Sequence, residues 1–137
     1  MSVSGRGAKA KGDKYERELA AYLNKHVFGR DQAHRAPLSG GGFIMSHGGA
    51  DLTGTPDLFV EAKRTERLNI RDALAQAERN IATTGDPSMP CVITRRNQES
   101  LEDSLCTMRL KHFHYLYAHY LLAQGHSHVI NEMPQLP

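Results

Sequence analysis

A strand–helix–strand pattern between residues 58 and 94 constrains the fold of this chain more than any other feature. Residues 58–63, LFVEAK, predict a strand bounded by turn residues, and residues 91–94, CVIT, are an apolar run typical of a buried strand. Between them, Asn69 is a suitable N-cap for a helix to about residue 82, whose apolar face carries Ile70, Leu74, Ala77 and Ile81. Because a helix connects the two strands, we expect them to lie parallel in one sheet.

The remaining segments predict two further helices and several short strands around this unit. Residues 13–27 predict a first helix, with Asp13 as its N-cap, Gly29 as its stop and an apolar stripe at Tyr15, Leu19 and Tyr22. Short extended segments are expected at residues 32–36, 50–53 and 104–108, and a third helix at residues 109–124. The order α-β-β-β-α-β-(β)-α predicts an α/β fold with a central mixed β-sheet flanked by helices.

The length and composition of the chain predict one small domain with two polar ends. The chain has 137 residues and a hydrophobic content of 39%, which fits a single core. We assign the domain to residues 12–125, between a flexible basic N-terminal arm at residues 1–11 and a frayed C-terminal tail at residues 126–137. The arm either contacts a phosphate backbone or is a solvated tail, and the sequence leaves both open.

The sequence favours an intracellular location. Its apolar runs are too short to span a bilayer, and residues 1–14 are too polar and basic for a signal peptide. Cys91 and Cys106 are too few for a disulfide scaffold and lack metal-ligand spacing. Both cysteines lie in apolar runs, so we expect two buried thiols.

Candidate chemistry concentrates at residues 51–63, where two aspartates precede Glu61 and Lys63. Residues two apart on a strand project from the same face, so the Glu61 and Lys63 side chains lie together. Glu61 can ligate a hard divalent cation, and Lys63 can position a water or stabilise charge on a phosphate. Because one carboxylate rarely holds Mg²⁺ alone, a second is expected from the neighbouring segment. This combination predicts a metal-dependent nuclease site.

Turn geometry selects Asp51 rather than Asp57 as the second carboxylate. Residues 54–57, GTPD, have turn chemistry, so Asp57 lies about 13 Å along the strand from Glu61, at about 3.3 Å per residue. If the flanking segments form a hairpin, Asp51 folds back opposite Glu61. We therefore assign Asp51 as a metal ligand and Asp57 as a turn residue with Asx-type hydrogen bonds.

The residues around this site resemble a known nuclease superfamily. Asp51, the Glu61–Lys63 pair and the upstream Glu16 are similar to the PD-(D/E)XK nucleases. Four parts of the chain resemble more narrowly the archaeal Holliday junction resolvases and related phage-encoded endonucleases: KGDKYERELAAYL, HRAPLSGG, GADL with VEAKR, and RLNIRDALAQAER. The resemblance covers residues 11 to about 97, and Ala50 stands where the family has proline. It implies a restriction-endonuclease-like core.

The resemblance also implies roles for residues on the first two helices. Glu16 falls where the family's glutamate completes the metal site, and its competitor Glu18 points about 200° away around the helix, as a solvated charge. Gln76 matches a glutamine that supports the active site from the side. The implied catalytic set is Glu16, Asp51, Glu61, Lys63 and Gln76.

Basic and polar residues form the candidate DNA contact. The resemblance implies that Arg17 and Arg35 lie near the scissile phosphate, and it matches Ser39 to the family's loop serine. Surface roles explain Arg17, Ser39 and Gln76 equally well, so these assignments stay open. The second half of the chain contains further arginines. The sequence leaves open whether they contact phosphates or are only polar residues at the ends of strands. The candidate DNA-binding residues are Arg17, Arg35, Ser39, Arg64, Arg95 and Arg96.

The resemblance implies metal-assisted hydrolysis of DNA, in the manner of a Holliday junction resolvase. Mg²⁺, or Mn²⁺ in its place, would be held by Asp51, Glu61 and Glu16, with Lys63 orienting the attacking water. A homodimer is also implied, because junction cleavage needs two symmetric nicks. Two alternatives stay open: a duplex or single-strand endonuclease without junction specificity, and a non-catalytic DNA-binding module.

Overall fold

The computed structural model describes residues 5–37 and 49–135 of the chain. The α-helices in these ranges are α1 (Gly5–Leu23), α2 (Ile70–Thr84) and α3 (Leu110–Ala123). A π-helical turn, Asn24–Phe28, follows α1 directly, and short 3₁₀ helices lie at Leu101–Asp103 and Ser127–Val129. The strands are β1 (His34–Arg35), β2 (Leu52–Thr53), β3 (Leu58–Arg64), β4 (Met89–Arg95) and β5 (Leu105–Thr107). None of the helices described in these ranges is long and apolar enough to cross a bilayer.

The chain divides into two compact units between Thr107 and Met108. The larger unit contains α1, α2 and the five strands, and the smaller unit contains α3. The third helix predicted at residues 109–124 is confirmed to within one residue at each end. Gly125, the predicted stop, follows it with a left-handed φ of 82°.

The larger unit contains a mixed three-stranded sheet in the order β3-β4-β5. β3 and β4 are parallel, with Glu61 paired to Val92, and β4 and β5 are antiparallel. α2 connects the parallel strands, and the Asn69 side chain caps it by accepting a hydrogen bond from the Asp72 N–H at 3.1 Å. The strand–helix–strand prediction is therefore confirmed.

α1 and α2 cover opposite faces of this sheet. Tyr15 of α1 is fully buried in a cluster with Val60 of β3, and Leu74 of α2 packs in a second cluster with Val92 of β4. Val92 is paired with Glu61, the residue after Val60, and successive strand residues point to opposite faces. The larger unit is therefore an α/β fold with a helix on each side of the sheet.

β1 and β2 form a separate antiparallel ladder, in which Arg35 pairs with Leu52. The hairpin predicted between β2 and β3 is therefore wrong in its pairing, although the chain does reverse between the two strands. The reason is that β1 takes the place beside β2 that the hairpin prediction gave to β3. The pairing with β1 continues to the next residue, where the Ala36 N–H donates to the carbonyl oxygen of Asp51 at 2.8 Å. The start of β2 still reaches β3 through a backbone bond from the Asp51 N–H to the Val60 oxygen at 2.8 Å.

α1 begins at Gly5, well before Asp13, so the N-cap predicted for Asp13 is wrong. Asp13 lies inside the helix, where its carboxylate accepts a 3.0 Å hydrogen bond from Lys9, one turn earlier. A pair at this spacing favours continued helix, which therefore includes residues that composition assigned to the basic arm. The predicted stop is confirmed: Gly29 has a φ of 67°, and its N–H donates to the Asn24 oxygen at 2.8 Å.

The two cysteines differ in exposure. Cys91 is 3% exposed, as predicted, whereas Cys106 is exposed, so the prediction of a buried thiol is wrong for Cys106. The reason is that β5 lies at the edge of the three-stranded sheet, where side chains are open to solvent. Leu105 on the same strand is 65% exposed.

The turn before β3 depends on a glycine. Gly54 has a left-handed φ of 76°, and a Cβ at this position would collide with the backbone carbonyl oxygen of Gln32. Asp57, which is exposed and has a φ of 65°, confirms the turn predicted for residues 54–57. Gly85 has a similar φ of 72°, but a Cβ there would meet no atom within 4 Å.

Gly54→Ala is expected to destabilise the protein much more than Gly85→Ala. Both substitutions impose left-handed backbone strain of about 1 kcal/mol. Only Gly54→Ala adds a collision with the backbone, and overpacking of this kind costs about 1–3 kcal/mol more. Urea denaturation should therefore show a loss of about 1 kcal/mol for Gly85→Ala and of about 2–4 kcal/mol for Gly54→Ala. Equal losses in the two variants would contradict the collision.

Candidate active site

Asp51 is fixed against the outer edge of β3. Its N–H donates to the Val60 oxygen at 2.8 Å, and its Oδ2 atom accepts a hydrogen bond from the Ala62 N–H at 2.8 Å. Residues 60 and 62 flank Glu61, so these two bonds hold the Asp51 carboxyl beside that residue. This is the placement that the turn argument predicts, although β2 has its ladder with another strand.

The carboxyl groups of Asp51 and Glu61 share a hydrogen bond. Glu61 is only 8% exposed, and its desolvation, followed by the negative charge of Asp51, raises the pKa of Glu61 to about 8 against the opposing charge of Lys63. Desolvation also raises the pKa of Asp51, although the hydrogen bond from the Ala62 N–H opposes this shift. The pair therefore retains a proton near neutral pH. Lys63, two residues further along β3, is exposed.

Glu16 reaches the same region from α1 and is bound by an arginine. The Nε atom of Arg35 donates to its Oε2 atom at 2.9 Å, and the side chain of Glu16 is only 15% exposed. Burial raises the pKa of Glu16, the negative charge of Asp51 raises it further, and the hydrogen bond from Arg35 opposes both. The interaction with Asp51 places Glu16 in the electrostatic environment of the candidate site, and the role of metal ligand that the resemblance implies for Glu16 stays a prediction.

Asp13 is a member of this cluster that the sequence reasoning missed. The Nη2 atom of Arg35 lies 2.7 Å from its Oδ1 atom, so Arg35 bridges Asp13 and Glu16. Hydrogen bonds from Lys9 and Arg35 and their positive charges lower the pKa of Asp13. The sequence signal was present, because residues three apart on a helix share one face, but assigning Asp13 as a cap concealed it.

The donor set fits one hard divalent cation with two protein ligands. Mg²⁺ is commonly bound by one or two carboxylates, with waters and substrate phosphates completing its shell. The proton that Asp51 and Glu61 share marks a point where two carboxylate oxygens converge and where a cation can replace that proton. Among the described residues, no group of three or more potential ligands is arranged to hold a metal ion. Arg35 engages Glu16, so the third ligand stays a prediction.

The other candidate arginines have different surroundings. The Nε atom of Arg95 donates to the Glu99 carbonyl at 2.6 Å, and its Nη1 atom donates to Glu18 at 3.1 Å, so Arg95 joins α1 to the end of β4. Glu18, expected to be a solvated charge, thus has a structural partner. Arg17 and Arg96 are exposed. At the end of β3, the Nε atom of Arg64 is buried without a hydrogen-bond partner among the described residues.

Gln76 and Ser39 are not placed in the site by the structure. Gln76 is exposed on α2, where its amide donates to Asn80 at 2.9 Å and its carbonyl oxygen accepts from Arg79 at 2.7 Å. These contacts hold it along its own helix. Ser39 lies outside the described residues.

A scan against protein-family models finds no match for the chain, and neither the curated proteins nor the solved structures compared with it provide one.

Glu61→Gln is expected to stabilise the metal-free protein at about pH 8. A carboxyl whose pKa is raised by folding contributes its full share to the free energy of unfolding only below its ordinary pKa of 4.5. This contribution is lost as the pH rises to about 8, because the folded chain holds its proton longer than the unfolded chain does. Glutamine keeps a hydrogen-bond donor for Asp51 and carries no charge. We expect the wild-type melting temperature in EDTA to fall over this range, and the variant to gain about 1–3 kcal/mol at its upper end.

Glu102→Gln is the matched control for this measurement, because Glu102 is exposed. It should leave the wild-type dependence of the melting temperature on pH unchanged. If Glu61→Gln and the wild-type chain lose stability in parallel as the pH rises, the buried proton is not held by Glu61.

Proposed function

We propose that this protein is a metal-dependent DNA endonuclease whose site is Asp51, Glu61 and Lys63. The observation that carries the proposal is the pair of carboxyl groups at one strand edge, which share a hydrogen bond beside the Glu61–Lys63 face of β3. A purely structural pair would be a costly arrangement, since burying carboxylates without a cation or full hydrogen bonding destabilises a fold. Strongly shifted carboxyl groups of this kind are characteristic of functional sites.

Each residue of the site has a separate task in the proposed hydrolysis. Asp51 and Glu61 would hold Mg²⁺, which when bound would supply Lewis acidity at the scissile phosphate and shield its developing charge. Lys63, exposed at the same strand edge, orients the attacking water and stabilises negative charge on the phosphate. Asp51 keeps its orientation through the bond from the Ala62 N–H, which leaves its second oxygen available to a cation.

Arg35 connects DNA binding to the completion of this site. It bridges Asp13 and Glu16 in the isolated chain. A DNA phosphate competes with these carboxylates for the guanidinium, because phosphate and carboxylate both accept bidentate hydrogen bonds from arginine. If Arg35 turned to the phosphate, Glu16 would be released and could serve as the third acidic side chain that holds the metal. Arg17, Arg64 and Arg96 then provide further positive charge for the DNA backbone.

The resemblance to Holliday junction resolvases supports branched DNA inside the cell as the substrate. A restriction-endonuclease-like core belongs to the same proposal. The first competing function is an endonuclease that cuts duplex or single-stranded DNA without junction specificity. The second is a non-catalytic DNA-binding module, which the engagement of Glu16 by Arg35 favours.

A cleavage assay tests these alternatives together. Labelled four-way junction, fork and linear duplex are incubated with the full chain in Mg²⁺ or in EDTA. We expect paired nicks in the junction with Mg²⁺ only, and a rate loss on the order of 10²–10³-fold in Asp51→Asn and Lys63→Met, since both remove electrostatic stabilisation of the transition state. Asp57→Asn is the matched control, because Asp57 is an exposed turn residue and asparagine tolerates its left-handed backbone.

The outcomes of this assay separate the competing functions. Cleavage of every substrate at the same rate would retain the nuclease and remove the junction specificity. Binding of the junction without cleavage in Mg²⁺ or Mn²⁺ would select the non-catalytic module. Equal losses in Asp57→Asn and Asp51→Asn would show that the turn geometry misassigns the ligand.

We propose further that two copies of the chain pair through α3. Exposed apolar side chains recur along this helix at spacings of three and four residues: Leu110 (78% exposed), Phe113 (52%), Tyr117 (50%) and Tyr120 (59%). The rings of residues 113, 117 and 120 stack in sequence, with centroid distances of 5.8 and 6.5 Å. This alternation of three and four is the pattern of helices that pack along their length.

The area of this face is sufficient for a dimer. Four side chains of about 200 Å² each, at half to three-quarters exposure, offer on the order of 500 Å² per copy. A pair of copies thus removes on the order of 1,000 Å² from water, which is near the lower limit for a specific interface. Two-fold pairing also matches the two symmetric cuts that a junction requires.

Phe113→Ser with Tyr117→Ser is expected to convert the dimer to a monomer. Sedimentation equilibrium over a range of concentrations would measure the change, which we expect as a loss of at least about 100-fold in dimer affinity from two truncated aromatic contacts. Tyr115→Ser is the matched control, because residue 115 lies about 200° around the helix from Tyr117. A wild-type chain that stays monomeric at every concentration would remove this interface from the proposal.

A further inference from the structure

The strand register brings the two cysteines together on one face of the sheet. Cys106 of β5 is directly opposite Ile93 of β4. Cys91 precedes Ile93 by two residues, so its side chain projects from the same face as that of Ile93. Cys91 and Cys106 are therefore diagonal neighbours across two antiparallel strands, and their thiol groups share a hydrogen bond.

The two thiols have opposite access to solvent. Cys106 is exposed on the edge strand, whereas Cys91, on the central strand of the sheet, is only 3% exposed. A soluble oxidant therefore meets Cys106 first, and the thiol nearest to the oxidised sulfur is that of Cys91. Such a pairing of an accessible cysteine with a neighbouring resolving thiol is the arrangement that favours reversible oxidation.

We propose that Cys106 is a modification site for hydroperoxides and that Cys91 is its resolving thiol, so that mild oxidation yields an intramolecular disulfide between β4 and β5. None of these atoms belongs to the proposed nuclease site. The proposal therefore stands or fails independently of DNA cleavage.

The reaction balances with hydrogen peroxide as the oxidant. The Cys106 thiolate attacks one peroxide oxygen, the O–O bond breaks, and hydroxide leaves, which gives a sulfenic acid on Cys106. The sulfur of Cys91 then attacks the Cys106 sulfur, its proton passes to the departing hydroxide, and water leaves as the S–S bond forms. Two thiols lose two electrons and two protons in total, and one peroxide is reduced to two waters.

The hydrogen bond between the thiols also prepares Cys106 for the first step. It is the main factor that lowers the pKa of Cys106 to about 7, while it and burial raise the pKa of Cys91 far above its ordinary value. Because burial disfavours the charged form of a thiol, the buried Cys91 keeps its proton as the hydrogen-bond donor, and the exposed Cys106 is the thiolate that accepts the hydrogen bond. Burial is the main factor that raises the pKa of the nearby Tyr15, whose O–H donates to Ser104 at 2.7 Å, and the charge of Cys106 raises this pKa further.

A disulfide at this position would fasten an edge strand that is otherwise held weakly. β5 pairs with β4 over the three register positions from Val92 to Thr94. Cys106 lies at the middle of this short ladder and Cys91 lies one residue beyond its Val92–Thr107 end, so the bond would extend the link between the strands past their last register pair. The oxidised and reduced chains therefore differ in how firmly the edge of the sheet is held.

The test treats the reduced full chain with a small excess of hydrogen peroxide and maps the products by mass spectrometry without reduction. We expect the intact mass to fall by two hydrogens, one peptide pair to be joined through Cys91 and Cys106, and dithiothreitol to restore the original mass. In Cys91→Ser, dimedone should instead trap a persistent sulfenic acid on Cys106. In Cys106→Ser, Cys91 should remain a thiol under the same treatment.

The rate of alkylation by iodoacetamide gives a second measurement on the unoxidised protein. For the wild-type chain, the rate at Cys106 should rise with a midpoint near pH 7. In Cys91→Ala, which removes the hydrogen-bond donor, the midpoint should move upward toward about 8.5, the value of a free cysteine. Circular dichroism tests whether each variant is folded. If a variant is unfolded, the peptide map of the oxidised wild-type chain decides whether the disulfide between Cys91 and Cys106 forms.

Three results would overturn the proposal. The first is oxidation of wild-type Cys106 to sulfenic or sulfinic acid without any bond to Cys91. The second is a disulfide that joins two chains through Cys106 in place of the intramolecular bond. The third is oxidation of Cys91 at the same rate in Cys106→Ser as in the wild-type chain.

Discussion

The attachment of Asp51 to the outer edge of β3 is the constraint on which the rest of the larger unit depends. β3 lies at one edge of its sheet, and an edge strand leaves backbone groups without partners. Asp51 satisfies two of them, one with its own N–H and one with its carboxylate. The same residue accepts a bond from Ala36 after β1, so it joins the two-stranded ladder to the three-stranded sheet. An aspartate in this position therefore performs a structural task and also places an acidic group beside Glu61.

The carboxylates of the acidic cluster destabilise the fold when they are ionised, which is a common feature of functional sites. Burial raises the pKa values of Glu16, Asp51 and Glu61, which means that each carboxylate destabilises the fold when it ionises. Two separate interactions reduce this destabilisation. Asp51 and Glu61 share a proton, and the guanidinium of Arg35 binds Glu16. In the proposed mechanism, a divalent cation would replace the proton, and a DNA phosphate would take the place of Glu16 as the partner of the guanidinium. Local instability of this kind is what binding of a cation and a phosphate would relieve.

The two edge strands of the three-stranded sheet differ in how their backbone and side chains are covered. At β3, Asp51 covers the backbone and the neighbouring side chains carry the candidate chemistry. At β5, the strand is short, Leu105 and Cys106 face solvent, and the thiol of Cys106 has a buried partner in Cys91. Short edge strands avoid unwanted pairing with other chains, and here the short strand also leaves one sulfur accessible. The proposed nuclease chemistry and the proposed oxidation chemistry therefore lie at opposite edges of one sheet.

The sequence by itself determined the local elements: the parallel pair around α2, the cap at Asn69, the stops at Gly29 and Gly125, and the turn at residues 54–57. These follow from side-chain periodicity and from backbone preferences that act within a few residues. It also located Asp51 beside Glu61, because a reversal of known length brings the two together. Only the tertiary structure decided that Arg35 joins Asp13 to Glu16, that Arg95 holds Glu18, and that Cys106 is exposed. Ion pairs between distant segments and the order of strands in a sheet depend on how the elements pack, and no local pattern encodes that packing.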